Sequence, residues 1–211
     1  MNYLAKKLAH MLAKYANDSF FEDEIRYGIE IALGSLFQIA LIVLLALLLG
    51  IWKEVLAIII TAVLYRRYSG GPHCNAYYRC TITSLVTFIT LGFIAEYIPT
   101  DYLPVYIICL TVLSAFVIHD YVPVDNPINI ITDESVRRKR QQQSYLVLLL
   151  LLAIIVVGYL IEQKILVISI LLGLFWQNFT LIPLGHAFVH LWDKLFDGIE
   201  KLFKGEEVMK C

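Results

Sequence analysis

A histidine and a cysteine seven residues apart, His73 and Cys80, lie within the stretch Arg66-Arg67-Tyr68-Ser69-Gly70-Gly71-Pro72-His73-Cys74-Asn75-Ala76-Tyr77-Tyr78-Arg79-Cys80. A cysteine attacks as its thiolate, and an imidazole within hydrogen-bond reach can take the proton. On one unbroken helix, seven residues share a face but stand about 10 Å apart along the axis, too far for that transfer. Gly70-Gly71-Pro72 argues against an unbroken helix: two flexible residues followed by one locked φ make a turn. His73 is then free to fold back toward Cys80 in the early turns of the next helix. Arg66, Arg67 and Arg79, together with the amides of that helix N-terminus, favour a thiolate. Cys74 is a rival nucleophile, although neighbouring residues on regular backbone point apart and this pairs it badly with His73. Spacing alone also fits two residues that merely pack at a membrane edge.

The elements that must hold this stretch are lipid-soluble helices. The 211 residues are 59% hydrophobic and 17% charged, with mean hydropathy +0.72. Ordinary globular chains carry about 25% charged residues, so a soluble domain is excluded. Uncharged runs predict six spans, at 31–52, 55–65, 80–95, 102–118, 141–161 and 165–184. The second is the weakest, because eleven uncharged residues cover only about 17 Å at the helical rise against about 30 Å of hydrocarbon. It must borrow length from its flanks, thin the bilayer or be partly re-entrant. Residues 2–16 place Tyr3, Leu4, Leu8, Met11, Leu12 and Tyr15 on one stripe with the lysines largely off it. That pattern fits either an interfacial amphipathic helix or a helix packed on the bundle. The tail from 185 carries a second stripe through Phe188, Leu191, Trp192, Leu195, Phe196, Ile199 and Phe203, as a surface helix would. The first thirty residues contain no apolar run of the kind that marks a cleavable signal.

Charge sets the orientation. All of the 17 Lys and Arg residues except Lys53 and Lys164 fall in 1–30, 66–79, 121–144 and 185–211. Positive residues mark the cytoplasmic side, which puts both termini and the 66–80 loop inside. The expectation is an all-α polytopic membrane protein forming one domain over 1–211: a cytoplasmic amphipathic segment at 1–30, a bundle over 31–184 holding the loop 66–80, and a cytoplasmic tail at 185–211. Four cysteines (Cys74, Cys80, Cys109, Cys211) without CxxC spacing predict no disulfide framework.

The run RRYSGGPHCNAYYRC resembles the signature of the accessory gene regulator B (AgrB) family: an arginine, a GG-x-H, then a cysteine seven residues on. VPVDNPI followed by the basic block Arg137-Arg138-Lys139-Arg140 is similar to that family's second segment, and the likeness extends over nearly the whole chain. Pro72 and Cys74 depart from the commoner pattern. The resemblance implies a bacterial membrane cysteine endopeptidase that processes a short amphipathic propeptide in quorum sensing. It implies Cys80 as nucleophile, His73 as base, Gly71 as the residue permitting the turn and Arg66 as an essential cation. The C-terminal part of the precursor would leave, and a thioester acyl-enzyme would be captured by an internal thiol or hydroxyl as a thiolactone or lactone. A homodimer and no cofactor are likewise implied.

Glu30, an ionisable residue at a membrane boundary, is a candidate third group paired with His73 or Arg66; it equally suits a snorkelling carboxylate near Arg26. Arg67 and Asp125 are candidate substrate contacts, Asp125 also being a natural turn former ahead of Asn126-Pro127. His186 and His190 are four apart without HExxH, so no metal site is expected. The basic block predicts contact with anionic lipid, and nothing predicts nucleic-acid binding. The competing class is a non-catalytic small transporter or structural membrane partner, which should show polar or broken segments at mid-membrane depth.

Overall fold

The computed structural model describes residues 22–72, 74–125 and 131–208. The amphipathic segment at 2–16 lies outside them. The chain divides into two compact units, Met1–Leu48 and Leu49–Cys211. The described part of the first is helix α1 (Glu22–Leu49). The second holds α2 (Trp52–Ser69), α3 (Tyr77–Tyr97), a single 3₁₀ turn (Thr100–Tyr102), α4 (Leu103–Tyr121), α5 (Glu134–Leu160), α6 (Lys164–Leu181) and α7 (Pro183–Val208). The all-α class is observed, and no strand occurs among the described residues.

Local chemistry explains the boundaries. Ile98 is extended ahead of Pro99, which cannot continue α3. Pro104 stands in the first turn of α4, where its missing N–H costs nothing. Asp133 caps α5 by accepting from the Ser135 amide at 2.8 Å, with Glu134 in the first turn. Helix α5 therefore starts seven residues before the fifth uncharged run and takes in the basic block, which sequence alone assigns to a loop. Helix α6 ends at Leu181, three residues short of the expected 184, because Pro183 opens α7.

Five helices among the described residues have the length and apolarity to cross a membrane: Ala32–Leu49, Tyr77–Tyr97, Thr100–Tyr121, Glu134–Leu160 and Lys164–Leu181. The expected second span is the difference. Helix α2 is unbroken over 18 residues, about 27 Å at the helical rise, so it does borrow length from its flanks. Those flanks carry Lys53, Glu54, Arg66 and Arg67, which set it apart from the other five. It packs against α6, α3 and α5 and buries Val55, Ile58, Ile59, Ala62 and Tyr65. At the α2–α6 crossing a Cβ on Gly173 would stand 2.8 Å from the Ile58 carbonyl oxygen, so only glycine lets the backbones meet this closely. Around them Leu103, Ile118, Leu148, Ile155, Ile168 and Leu174 complete the core of this unit.

Candidate active site

The last turn of α2 carries Arg66 and Arg67, and the helix stops because Gly70 (φ 77°) and Gly71 (φ 143°) take backbone conformations closed to ordinary residues. The Gly70 amide still donates to the Arg66 carbonyl at 3.0 Å, closing the helix end. Beyond it the chain bridges to the loop after α4: Val124 N–H donates to the Ser69 carbonyl at 2.9 Å, and Gly70 pairs with Val124 in parallel. Gln177 on α6 fastens the same corner, its Nε2 donating to Ser69 Oγ (3.0 Å) and to the Gly70 carbonyl (2.9 Å). Next to it Asn178 accepts from the Tyr65 hydroxyl at 3.1 Å and donates to Ser114 Oγ at 2.7 Å. Gln177 and Asn178 are almost fully buried. In sequence they are two polar letters in an apolar run and give no sign of the role.

Arg66 folds back over the turn it precedes. Its Nη2 donates to the Pro72 carbonyl, and a Cβ on Gly71 would come within 2.7 Å of its Nη1. The expected function of Gly71 in permitting the turn therefore has a second component: its bare Cα makes room for the guanidinium. From that position Arg66 is electrostatically coupled to both Cys80 and Cys74.

Cys80 lies in the first turn of α3, half-buried, its amide donating to the Ala76 carbonyl at 3.2 Å. The half-buried Cys74 thiol hydrogen-bonds with Cys80 and is also within reach of Thr83. The bond to Cys80, then burial, then the neighbouring charge of Cys80 and Asp193, push the Cys74 thiol well above the ordinary thiol range. Burial and the bond to Cys80 thus disfavour a Cys74 thiolate, while Cys80 stands in the first turn of α3, a helix N-terminal setting that suits a thiolate.

His73 lies outside the described residues. Glu30 falls on α1, and its side chain too is outside what is described. Arg67 is exposed, with its guanidinium 5.9 Å from the centre of the Tyr68 ring. Asp125 accepts from Arg137 Nη1 at 2.7 Å and from the Ile131 amide at 3.4 Å, and Arg137 also donates to the Pro123 carbonyl. It closes the loop that supports Gly70, in keeping with its reading as a turn residue, and it engages one arginine of the basic block. Arg79 does not join Arg66 over the thiols. It is buried against the tail helix, with Nη1 3.5 Å from Asp193 Oδ1 and Nη2 2.7 Å from Asp197 Oδ1 and 2.8 Å from Glu200 Oε1. His186 is partly buried on α7 and is pushed below the usual imidazole range by burial, then by His190 and by Arg66. Among the described residues no group of His, Cys, Asp and Glu is arranged to hold a metal ion. Beside the site, α3, α6 and α7 enclose an apolar groove of about 310 Å³ walled by Val86, Leu91, Phe175, Trp176, Phe188 and Trp192.

A family model, accessory gene regulator B, matches residues 2–181. The chain belongs to the AgrB family. That family is known in quorum sensing and is membrane-associated, which agrees with the long apolar helices seen here. An AgrB-like protein of Clostridium perfringens strain SM101 is 26% identical over 203 residues, covering 90% of this chain and 95% of the relative. A second from strain 13 of that species matches to the same extent. An AgrB-like protein of Listeria monocytogenes is 29% identical over 103 residues, 46% of this chain and half of its own length. No solved structure matches. The match to the family model stops at the end of α6, so α7 lies beyond it.

Proposed function

We propose that this AgrB-family chain is a membrane cysteine endopeptidase that cleaves a short amphipathic propeptide and supports its cyclisation. The observation that carries the reading is the setting of Cys80: it lies in the first turn of the helix that follows the Gly70-Gly71 turn, over which the Arg66 guanidinium folds. Cys80 Sγ attacks the scissile carbonyl carbon while His73 takes the thiol proton. As the tetrahedral intermediate collapses, the C–N bond breaks and His73 returns the proton to the leaving amine, releasing the C-terminal part of the precursor. The acyl group stays on Cys80 as a thioester. A thiol or hydroxyl inside the substrate then adds to that carbonyl and displaces the Cys80 thiolate, closing a thiolactone or lactone. Exchange of one thioester for another is nearly energy-neutral, so the stored acyl activation drives closure provided water is kept away.

Arg66 stabilises the thiolate and Gly71 lets it approach. Arg67 and Asp125 are the proposed substrate contacts. The charge distribution supports a bacterial cell-membrane topology with the loop and both termini cytoplasmic, and the working unit is a homodimer. The test is co-expression with the propeptide encoded beside it, following precursor mass at equal membrane levels. Cys80→Ala and His73→Ala should abolish cleavage while Cys74→Ala retains it. Cleavage surviving in Cys80→Ala would sink the assignment.

A further inference from the structure

The tail helix α7 reaches back to the two ends of the segment that carries the thiols. Asp193, only 3% exposed, accepts from the Asn75 amide with both carboxylate oxygens, at 3.1 and 3.3 Å. Asn75 follows Cys74 directly. Arg79, only 6% exposed, immediately precedes Cys80. Its Nη1 donates to the Asp193 carbonyl at 3.1 Å and pairs with the Asp193 carboxylate, its Nη2 takes Asp197 and Glu200, and its Nε donates to the Tyr78 hydroxyl at 2.9 Å. The Tyr78 hydroxyl donates in turn to Glu200. One buried guanidinium therefore turns both Nη groups to α7, and one buried carboxylate holds both the loop and that guanidinium. Aromatic contacts extend the lock: Tyr78 meets Phe196 edge-on at 6.0 Å, and Phe196 tilts against Trp192 at 5.9 Å.

Resting on the proposed peptidase reading, we infer that Arg79 and Asp193 are positioning residues for Cys80, and that α7 is the brace through which they act. A rotation of the first turn of α3 would carry the Cys80 sulfur away from Arg66 and Cys74. The brace, bonded to Asn75 on one side and Arg79 on the other, opposes that rotation. Arg79 cannot be replaced by lysine without loss, because three separate directions of hydrogen bonding need the guanidinium fork. Asp193→Asn keeps an acceptor for the Asn75 amide but loses the charge beside Arg79, whereas Asp193→Ala loses both.

The experiment compares Asp193→Ala, Asp193→Asn, Arg79→Lys and Asp193→Glu with the wild type, in purified full-length protein at matched amounts. Two readouts are taken: hydrogen exchange of the peptide spanning Asn75 to Cys80, and kcat and KM for propeptide cleavage. Exchange should rise most in Asp193→Ala and less in Asp193→Asn. Turnover per molecule should fall at least about tenfold in Asp193→Ala with KM little changed, as small misplacement of a reacting group costs, and Asp193→Glu should recover part of it. Faster exchange with unchanged kcat would overturn the positioning role, as would unchanged exchange. A loss confined to protein yield, with normal kcat in the surviving molecules, would also overturn it. Cleavage that persists in Cys80→Ala is the separate failure of the peptidase reading, and the exchange data would still report on the brace.

Discussion

Substituting Gly70 by alanine tests the corner on which the site is built. Gly70 combines φ 77° with ψ −154°, a combination that non-glycine residues avoid at a cost of about 1–3 kcal/mol. There is a second, separable penalty. The added Cβ would overlap the Val124 carbonyl oxygen and stand 3.3 Å from the carbonyl carbon, so the loop after α4 must retreat. Retreat sacrifices the Val124 N–H to Ser69 carbonyl bond, worth roughly 0.5–1.5 kcal/mol net. The total is about 1.5–4.5 kcal/mol. Gly50 supplies the control, since it has φ 80° with nothing within 4 Å of its absent Cβ. Gly50→Ala should show backbone strain alone, about 1–2 kcal/mol. Unfolding of both variants and the wild type in the same detergent micelles gives the comparison, and propeptide cleavage per folded molecule gives the functional side. Gly70→Ala should lose more stability than Gly50→Ala and nearly all activity, while Gly50→Ala stays active. Equal destabilisation, or an active Gly70→Ala, would refute the claim that the Gly70–Val124 bridge holds the turn of the proposed site.

Tyr65→Phe leaves the buried Asn178 carbonyl oxygen without its donor, so it should destabilise by about 1–3 kcal/mol in the same unfolding assay. Cys74, whose thiol is pushed up by its bond to Cys80 and by burial, should react slowly with iodoacetamide at neutral pH, read by mass spectrometry of the alkylated site. Because folding raises the Cys74 pKa, its contribution to stability is complete below the ordinary thiol value near 8.5. It erodes as pH climbs above that value, and Cys74→Ser should flatten the alkaline limb of the stability curve. His186 runs the other way: its pKa is lowered on folding, so its contribution holds above the ordinary imidazole value near 6.5 and is lost as pH falls through the folded value. His186→Gln should therefore blunt acid destabilisation, measured as the midpoint shift between pH 7.5 and 5.5. Arg137→Gln breaks a part-exposed pair with Asp125 and should cost no more than about 1 kcal/mol, less at high salt.

The turn at Gly70-Gly71-Pro72 was legible because its cause is local: two glycines and a proline cannot continue α2. The start of α5 was equally local, for Asp133-Glu134 ahead of Ser135 is a helix N-terminus signal. The uncharged run at 141–161 masks that signal. The partners of Arg79 were not legible, since Asp193, Asp197 and Glu200 lie more than a hundred positions along the chain and only the close docking of α7 brings them in. A free arginine beside a cysteine reads as an activating charge until its partners are known. Gln177 was hidden for a different reason. A polar residue in an apolar run looks incidental unless the helix face it occupies meets an opened backbone corner, here Ser69 and Gly70. Charged residues bound the uncharged run at 55–65, which therefore reads as eleven residues that must borrow length from their flanks. Lys53, Glu54, Arg66 and Arg67 instead lie inside the first and last turns of an inner helix.

The distribution of these polar groups also bears on the competing idea of a transporter. A substrate path through a bundle needs polar or broken backbone at mid-depth. In the second unit, Ser69 and Arg79 stand beside the α2–α3 break, and Gln177, Asn178 and Thr180 close the C-terminal end of α6 beside that same break. Asp193 is carried there by α7. These side chains gather at one corner, while Thr61, Ser114, Ser144 and Ser169 are buried within helices, Ser144 and Ser169 bonding the backbone of their own helix. No buried side-chain polar atom among the described residues lacks a hydrogen-bond partner. A conduit holds polar groups ready for a passing solute, whereas Ser69, Arg79, Gln177, Asn178 and Asp193 are engaged with the protein itself. That arrangement suits the preorganised nucleophile of the proposed peptidase.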